Sequence, residues 1–143
     1  MPPFTSPDNA SYTVSYRSDL NVLVMRWLRP NTLAETQVSY QHLLALAHEH
    51  TCANWLLDGR RDGPLVLETA QWLGQQFLPD AARQLTPQLL RLAVFSSPAR
   101  FEQRLVDMEV AAVVAEATAA TQPYQTSLFL DEGKALAWFS EPQ

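Results

Sequence analysis

The amino-acid sequence predicts a single α/β domain with a mixed, mostly parallel sheet of five strands and helices packed over it. The chain has 143 residues, 47% hydrophobic and 17% charged, which is the size and balance of one globular domain with its own core. Strand-like and helix-like segments follow one another in the order ββαβαβαβα, which is typical of parallel strands joined by right-handed helical crossovers. Residues 1–10 are rich in Pro, Ser, Asp and Asn. We therefore expect a flexible lead-in there and a domain over 11–143.

The opening two strands should form a hairpin. Every second residue from Tyr12 to Tyr16 is aromatic or aliphatic, as in a half-buried strand, and the segment 21–27 is more continuously apolar. Turn-forming residues at 18–21 lie at the junction of the two segments. The first strand is therefore expected to run antiparallel to the second.

A helix should follow the hairpin. Thr32 and Glu35 have the spacing of a capping box, in which each side chain accepts a hydrogen bond from the other residue's backbone N–H. The periodicity then continues to about His50. The apolar stripe of this helix comprises Val38, Leu43, Leu46 and Ala47.

The middle of the chain predicts a buried strand and a second helix. The short apolar run 53–58 fits the strand, and a glycine-containing loop follows it. Gly63-Pro64 should begin the helix, because the first turn tolerates the missing N–H of proline. Pro79 should end or kink it, with a short extra turn from Asp80 onward. The apolar stripe of this helix comprises Val66, Ala70, Leu73 and Phe77.

The last part of the chain predicts two further strands and two helices. The strands are 89–95 and 126–130, Ser97 should cap a long helix that starts with proline, and Asp131 should cap the closing helix. The apolar stripe of the long helix comprises Phe101, Leu105, Met108, Ala112 and Ala115. The inward residues of the closing helix comprise Ala135, Leu136, Trp138 and Phe139.

Charge and composition narrow the classes of partner and location. The formal net charge of −5 argues against a nucleic acid as partner, since phosphate binding needs a basic face. No segment approaches the roughly 20 apolar residues needed to cross a bilayer. The first residues lack the basic start and apolar run of a signal peptide. We therefore expect a cytoplasmic protein with no membrane span.

The side chains that most often carry chemistry do not form a recognisable motif. Spacings of six and two scatter His42, His48 and His50 around a helix, whereas metal-binding pairs need three or four, so surface or helix-end positions are expected. The single Cys52 has no cysteine partner for a disulfide or a metal site. The four glycines form no phosphate-binding pattern, and no cofactor is predicted.

Two serines follow the fourth predicted strand, where a nucleophile is conceivable. Ser96 and Ser97 lack the flanking glycines that let a serine elbow turn sharply, and no histidine is an obvious base. A cap is therefore the favoured role for Ser97. Both serines remain in the candidate site because they follow a strand of the predicted sheet.

The loop between the third strand and the second helix is the candidate binding segment. It contains Asp58, Arg60, Arg61 and Asp62, and in open α/β sheets ligands bind outside the carboxyl ends of the strands. Two adjacent guanidiniums beside a helix start could hold a carboxylate or a phosphate. The alternative is a solvated loop whose arginines pair with Asp58 and Asp62 and contribute little.

The chain resembles the STAS domain, the fold of bacterial anti-sigma-factor antagonists, and especially the STAS/SEC14-like proteins. The resemblance lies in the opening hairpin and in three segments, and it covers about Tyr12 to Phe139. The segments comprise Trp55-Leu56-Leu57-Asp58, Arg91-Leu92-Ala93-Val94-Phe95, and the last strand and helix from Leu128 to Phe139.

The resemblance implies a non-enzymatic module that binds a partner protein. That partner is unidentified, and a second copy of the chain, in a homodimer, is one of the alternatives. Regulatory members of that family carry a phosphorylatable serine or threonine just after the strand matched by 55–58. This chain has no hydroxyl there until Thr69, so phosphorylation at that position is not expected. The alternative function is a carrier of a small or lipidic ligand. An exposed apolar patch would favour the interaction module, and an internal cavity lined by Trp, Leu and Phe would favour the carrier.

Overall fold

The computed structural model describes residues 11–141, apart from the side chains of Arg104 and Leu105. The lead-in expected at 1–10 lies outside the described residues.

Five strands form one sheet, and their order across the sheet is their order along the chain. They are β1 (Tyr12–Arg17), β2 (Val22–Trp27), β3 (Asn54–Asp58), β4 (Arg91–Phe95) and β5 (Gln125–Phe129). β1 pairs antiparallel with β2, and the remaining neighbours are parallel. The predicted α/β class, the five strands and the antiparallel first strand are confirmed.

The helical segments depart from the order ββαβαβαβα, because the second and third predicted helices are each divided. The helices are α1 (Leu33–His50), α2 (Leu67–Trp72), α3 (Leu78–Leu85), α4 (Pro98–Val106), α5 (Met108–Ala117) and α6 (Glu132–Trp138). A π-helical segment, Leu73–Phe77, joins α2 to α3.

The predicted start of the second helix was wrong, and of the two alternatives at Pro79 the end of the helix was wrong as well. The helix begins at Leu67 rather than at Gly63-Pro64, because Gly63 has a φ of 79° and continues the loop. Pro79 lies in the first turn of α3 and does not end the helical path. The wider turn of the preceding π-helical segment accommodates a residue that has no N–H to donate.

The predicted long helix is broken at Asp107. This residue has an extended backbone, and its side chain caps α5 by accepting a hydrogen bond from the Val110 N–H at 3.1 Å. The predicted stripe was wrong at Met108 and Ala112, and the side chain of its member Leu105 lies outside the described ones. Met108 is 83% exposed, Ala112 is also exposed, and Val110 is buried instead.

Side-chain caps begin α1, α4 and α6 as predicted. Thr32 and Glu35 form the complete capping box. Ser97 accepts a hydrogen bond from the Arg100 N–H, and Asp131 accepts from the first turn of α6. The predicted inward positions Val38 and Val66 are wrong, since each is 58% exposed.

The two faces of the sheet are covered unequally. Each of the parallel crossovers moves one strand further in the same direction, and right-handed crossovers of this kind place their helices on one face. That face, called here the helix face, carries the larger core, which includes Met25, Trp55, Leu57 and Leu92. The opposite face, called here the α6 face, carries Val22, Val24, Leu56, Ala93 and Phe95 with Ala135 of α6.

Candidate functional site

The predicted site is split between the two faces of the sheet. Side chains alternate along a strand, so Leu56 and Asp58 lie on the α6 face while Leu57 lies on the helix face. Parallel register places Asp58 beside Arg26 of β2 and Phe95 of β4. Asp58 and Arg60 therefore have different neighbours from Asp62, which lies on the other face.

Asp58 is the centre of a hydrogen-bonded ion network on the α6 face. Its side chain is 6% exposed, and it accepts hydrogen bonds from Arg26 Nη1 at 2.7 Å and from Arg60 Nε and Nη2 at 3.0 and 2.9 Å. The Arg60 guanidinium also lies 4.2 Å above the Phe95 ring, and Arg26 pairs further with Glu132. Burial alone would raise the pKa of Asp58, but hydrogen bonds from Arg60 and Arg26 outweigh burial and hold this pKa below its ordinary value.

The two adjacent arginines of the loop do not form a joint anion site. Arg60 is committed to Asp58, whereas Arg61 is exposed and forms no ion pair with any residue of the described chain. The expected pairing of the loop arginines with Asp62 is wrong, because Asp62 faces Arg100 instead. The loop also does not abut a helix start, since α2 begins only at Leu67.

Alanine at Arg60 and at Arg61 should separate these roles. We expect Arg60→Ala to lower the free energy of unfolding by about 1 kcal/mol, because it removes a bidentate partner and a ring contact at a half-exposed position. Arg61→Ala should change it by less than about 0.5 kcal/mol. Urea unfolding of both variants checks this, and equal stabilities would contradict the assigned network.

Asp62 lies on the helix face, where it is mostly buried. Its Oδ1 accepts hydrogen bonds from the Asn31 backbone N–H at 3.0 Å and from Asn31 Nδ2 at 3.3 Å. Its Oδ2 lies 3.6 Å from Arg100 Nη2, and the two side chains are 14% and 16% exposed. Burial raises the pKa of Asp62 and lowers that of Arg100, and the attraction between the two charges opposes both effects.

A cavity of about 160 Å³ lies between the helix face and helices α1, α2, α4 and α5, and it is partly open to solvent. Its wall is mainly apolar and includes Trp27, Leu57, Leu73, Leu92, Val94 and Val114. For comparison, an engineered and wholly apolar protein cavity of roughly 150 Å³ binds benzene. The cavity is therefore large enough for a ligand with one aromatic ring.

A few polar groups are placed in this apolar wall. Asp62 and Arg100 line one part of it, together with Ser96 and Tyr40. The Thr126 hydroxyl, also in the wall, is buried and has no hydrogen-bond partner among the described residues. A mostly apolar cavity with a small number of polar groups is the usual form of a small-molecule site.

Helix α4 is fixed over the cavity by three hydrogen bonds to the loop after β3. Gln103 exchanges two with the backbone of Leu65, accepting from its N–H and donating to its carbonyl, both at 2.9 Å. Arg100 Nε donates to the Gly63 carbonyl at 2.7 Å. These contacts hold Arg100 and Gln103 in the wall and set the geometry of this side of the cavity.

The sequence-predicted residues thus contribute unequally to the cavity. Asp62 and Ser96 line it, while Asp58 and Arg60 belong to the opposite face. Ser97 is the cap of α4, as favoured from the sequence. The described cavity wall contains neither histidine nor cysteine, so Ser96 has no imidazole base beside it.

Arg100 and Tyr40 are two polar wall residues that the sequence did not indicate. Each lies inside a helix, where a lone arginine or tyrosine looks like any surface or core residue. The one available signal was the position of Arg100 in the first turn of a helix that directly follows a strand end. That position brings its side chain to the carboxyl edge of the sheet.

The histidines have structural surroundings. His48 and His50 lie in the last turn of α1, as expected, and His50 stacks on Tyr16. Within residues 11–141, no group of three or more His, Cys, Asp or Glu side chains is placed to hold a metal ion. None of the helices in that range is both long and apolar enough to cross a bilayer.

Comparison of the chain with protein-family models, with characterised proteins and with solved structures found no match in any of the three. The resemblance to the STAS domain therefore stays a prediction.

Proposed function

We propose that this protein binds a small, mostly apolar organic molecule in the cavity between the helix face and α1, α2, α4 and α5, without transforming it. The observation that carries the proposal is the combination of an apolar wall with a few buried polar groups in a space the size of one aromatic ring. This is the carrier alternative of the sequence analysis. The missing imidazole and thiol in the described wall favour binding over catalysis.

Isothermal titration calorimetry with toluene tests the proposal. Toluene fills about one ring and carries no polar group, so its binding reports the cavity alone. We expect saturable binding at one site per chain with a negative heat-capacity change, which is the signature of apolar burial. Titration heats equal to those of dilution at every temperature would contradict it.

A protein-interaction module of the STAS-like kind is the second candidate. The observation that favours it is a pair of apolar side chains on either side of Asp107. Val106 and Met108 are 80% and 83% exposed, and exposed apolar side chains of this kind are found at protein interfaces. Sedimentation that shows a dimer lost in Val106→Ser/Met108→Ser, together with no toluene binding, would favour this candidate over the carrier.

A further inference from the structure

We propose that the natural ligand of the cavity carries a carboxylate that binds the Arg100 guanidinium, with a body of about one aromatic ring or a short branched chain in the apolar part. This inference rests on the proposed function, because it assigns the polar end of the same ligand. It names the ligand class as small monocarboxylic acids.

Arg100 has hydrogen-bond donors that the described part of the chain does not use. Its Nε donates to the Gly63 carbonyl, but the nearest carboxylate oxygen, on Asp62, lies 3.6 Å from Nη2, which is beyond hydrogen-bond distance. Within residues 11–141, neither terminal nitrogen of Arg100 donates a hydrogen bond. A guanidinium that is only 16% exposed gains most from a planar acceptor with two oxygens, because charge-assisted bidentate hydrogen bonds are the strongest available to it.

Tyr40 supplies a second unused donor in the same wall. The residue is 5% exposed, lines the cavity, and its hydroxyl makes no hydrogen bond within the described part of the chain. Burial raises the pKa of Tyr40 above its ordinary value, so the hydroxyl stays protonated and able to donate. Its charge interactions with Arg100 and Asp62 place it in the electrostatic surroundings of that pair.

Asp62 is the group that opposes an incoming carboxylate. Its Oδ1 is held by two donors of Asn31, so it stays beside Arg100 without a close hydrogen bond to it. Its negative charge should therefore weaken the binding of a second anion. It follows that Asp62→Asn, which keeps an acceptor for Asn31 but removes the charge, should strengthen carboxylate binding.

The size of the cavity limits the rest of the ligand. A volume of about 160 Å³ matches a single ring and does not enclose a long acyl chain, whose end would extend through the open side into solvent. The proposed class is therefore short acids.

Calorimetric titration with phenylacetate, phenylacetamide and toluene tests the inference. The three probes share the ring and its attached carbon. That carbon bears a carboxylate in phenylacetate, a neutral amide in phenylacetamide and a hydrogen in toluene. We expect phenylacetate to bind the wild-type protein at least about ten-fold more tightly than phenylacetamide, the usual gain from hydrogen bonds to charged groups. Palmitate, the long-chain probe, should show no saturable binding.

Three variants and one control assign the effect to Arg100. Arg100→Met keeps the apolar stem but also loses the hydrogen bond to the Gly63 carbonyl, so the readout is the ratio of the two affinities: the preference for phenylacetate over phenylacetamide should disappear. Gly59→Ala should weaken phenylacetate binding without removing the arginine, since the added methyl would collide with Arg100 Nη1. Asp62→Asn should tighten phenylacetate binding several-fold. Arg83→Met, which removes a 74% exposed arginine, is the control and should bind all probes like the wild type.

The outcomes distinguish this inference from the proposed function. Equal affinities for phenylacetate and phenylacetamide would overturn the carboxylate assignment while toluene binding still supports the cavity. An unchanged preference in both Arg100→Met and Gly59→Ala would overturn the role of Arg100. Saturable palmitate binding would overturn the size limit, and failure of every probe, toluene included, would overturn the proposed function as well.

Discussion

Replacing Val94 with phenylalanine should lower the affinity for toluene by at least about ten-fold while the protein stays folded. Val94 lies on β4, is partly buried and forms part of the cavity wall on the helix face. The added ring takes the space that the ring of the probe would occupy. Phenylalanine is well accepted in strands, and the unfolding free energy should stay within about 1–3 kcal/mol of the wild type.

The matched control is the same substitution outside the cavity. Val38→Phe changes a helix residue that is 58% exposed and is not part of the wall, so it should bind toluene like the wild type. Titration calorimetry and thermal unfolding of the two variants make the comparison. Wild-type toluene affinity in a folded Val94→Phe protein would show that toluene binds elsewhere.

Asp58→Ala should cost about 2–3 kcal/mol of unfolding free energy, which for a chain of this length lowers the melting temperature by roughly 6–12 °C. The carboxylate is 6% exposed and accepts hydrogen bonds from both Arg26 and Arg60, so its removal takes the carboxylate from Arg60 and leaves Arg26 with Glu132 alone. The expected cost lies below that of a fully buried pair. The reason is that the two arginines are 35% and 48% exposed and can be hydrated.

Asp19→Ala provides the control for the loss of an aspartate. Asp19 also pairs with an arginine, Arg17, but its side chain is 62% exposed. Removing it should leave the free energy of unfolding close to that of the wild type, because exposed ion pairs contribute little. Denaturant unfolding of both variants measures the difference. Equal stabilities would mean that the Asp58 network does not stabilise the fold.

The features predicted well from the sequence are those encoded by residues close together in the chain. The capping box of Thr32 and Glu35 and the caps at Ser97 and Asp131 depend on neighbours three residues away, and all are present. Strand alternation likewise gave the sheet class and the hairpin. Local patterns of this kind need no knowledge of which strands become neighbours.

The split of the candidate loop could not be predicted, because it depends on the register between strands. Asp58 meets Arg26 only because β2 and β3 pair in parallel with these two residues side by side. Asp62 meets Arg100 only because α4 returns over the loop after β3. The sequence pattern placed these charged residues in a loop at the carboxyl edge of the sheet, but it did not indicate that they have separate partners.

The break at Asp107 shows why a single long helix was predicted from the apolar stripe. Aspartate is a common capping residue but also occurs within helices, so it does not by itself divide a periodic segment. With α5 beginning at Met108, the predicted stripe residue Met108 is exposed and Val110 is buried in its place.

Nuclear Overhauser effects between toluene and the methyl groups of the protein would locate a small apolar molecule in the cavity on the helix face. We expect cross-peaks from the toluene ring to Leu57, Leu92 and Val94, whose side chains line the cavity. We expect none to the exposed methyl groups of Val38. Cross-peaks confined to Val106 and Met108, or no intermolecular cross-peak at saturating toluene, would contradict binding in this cavity.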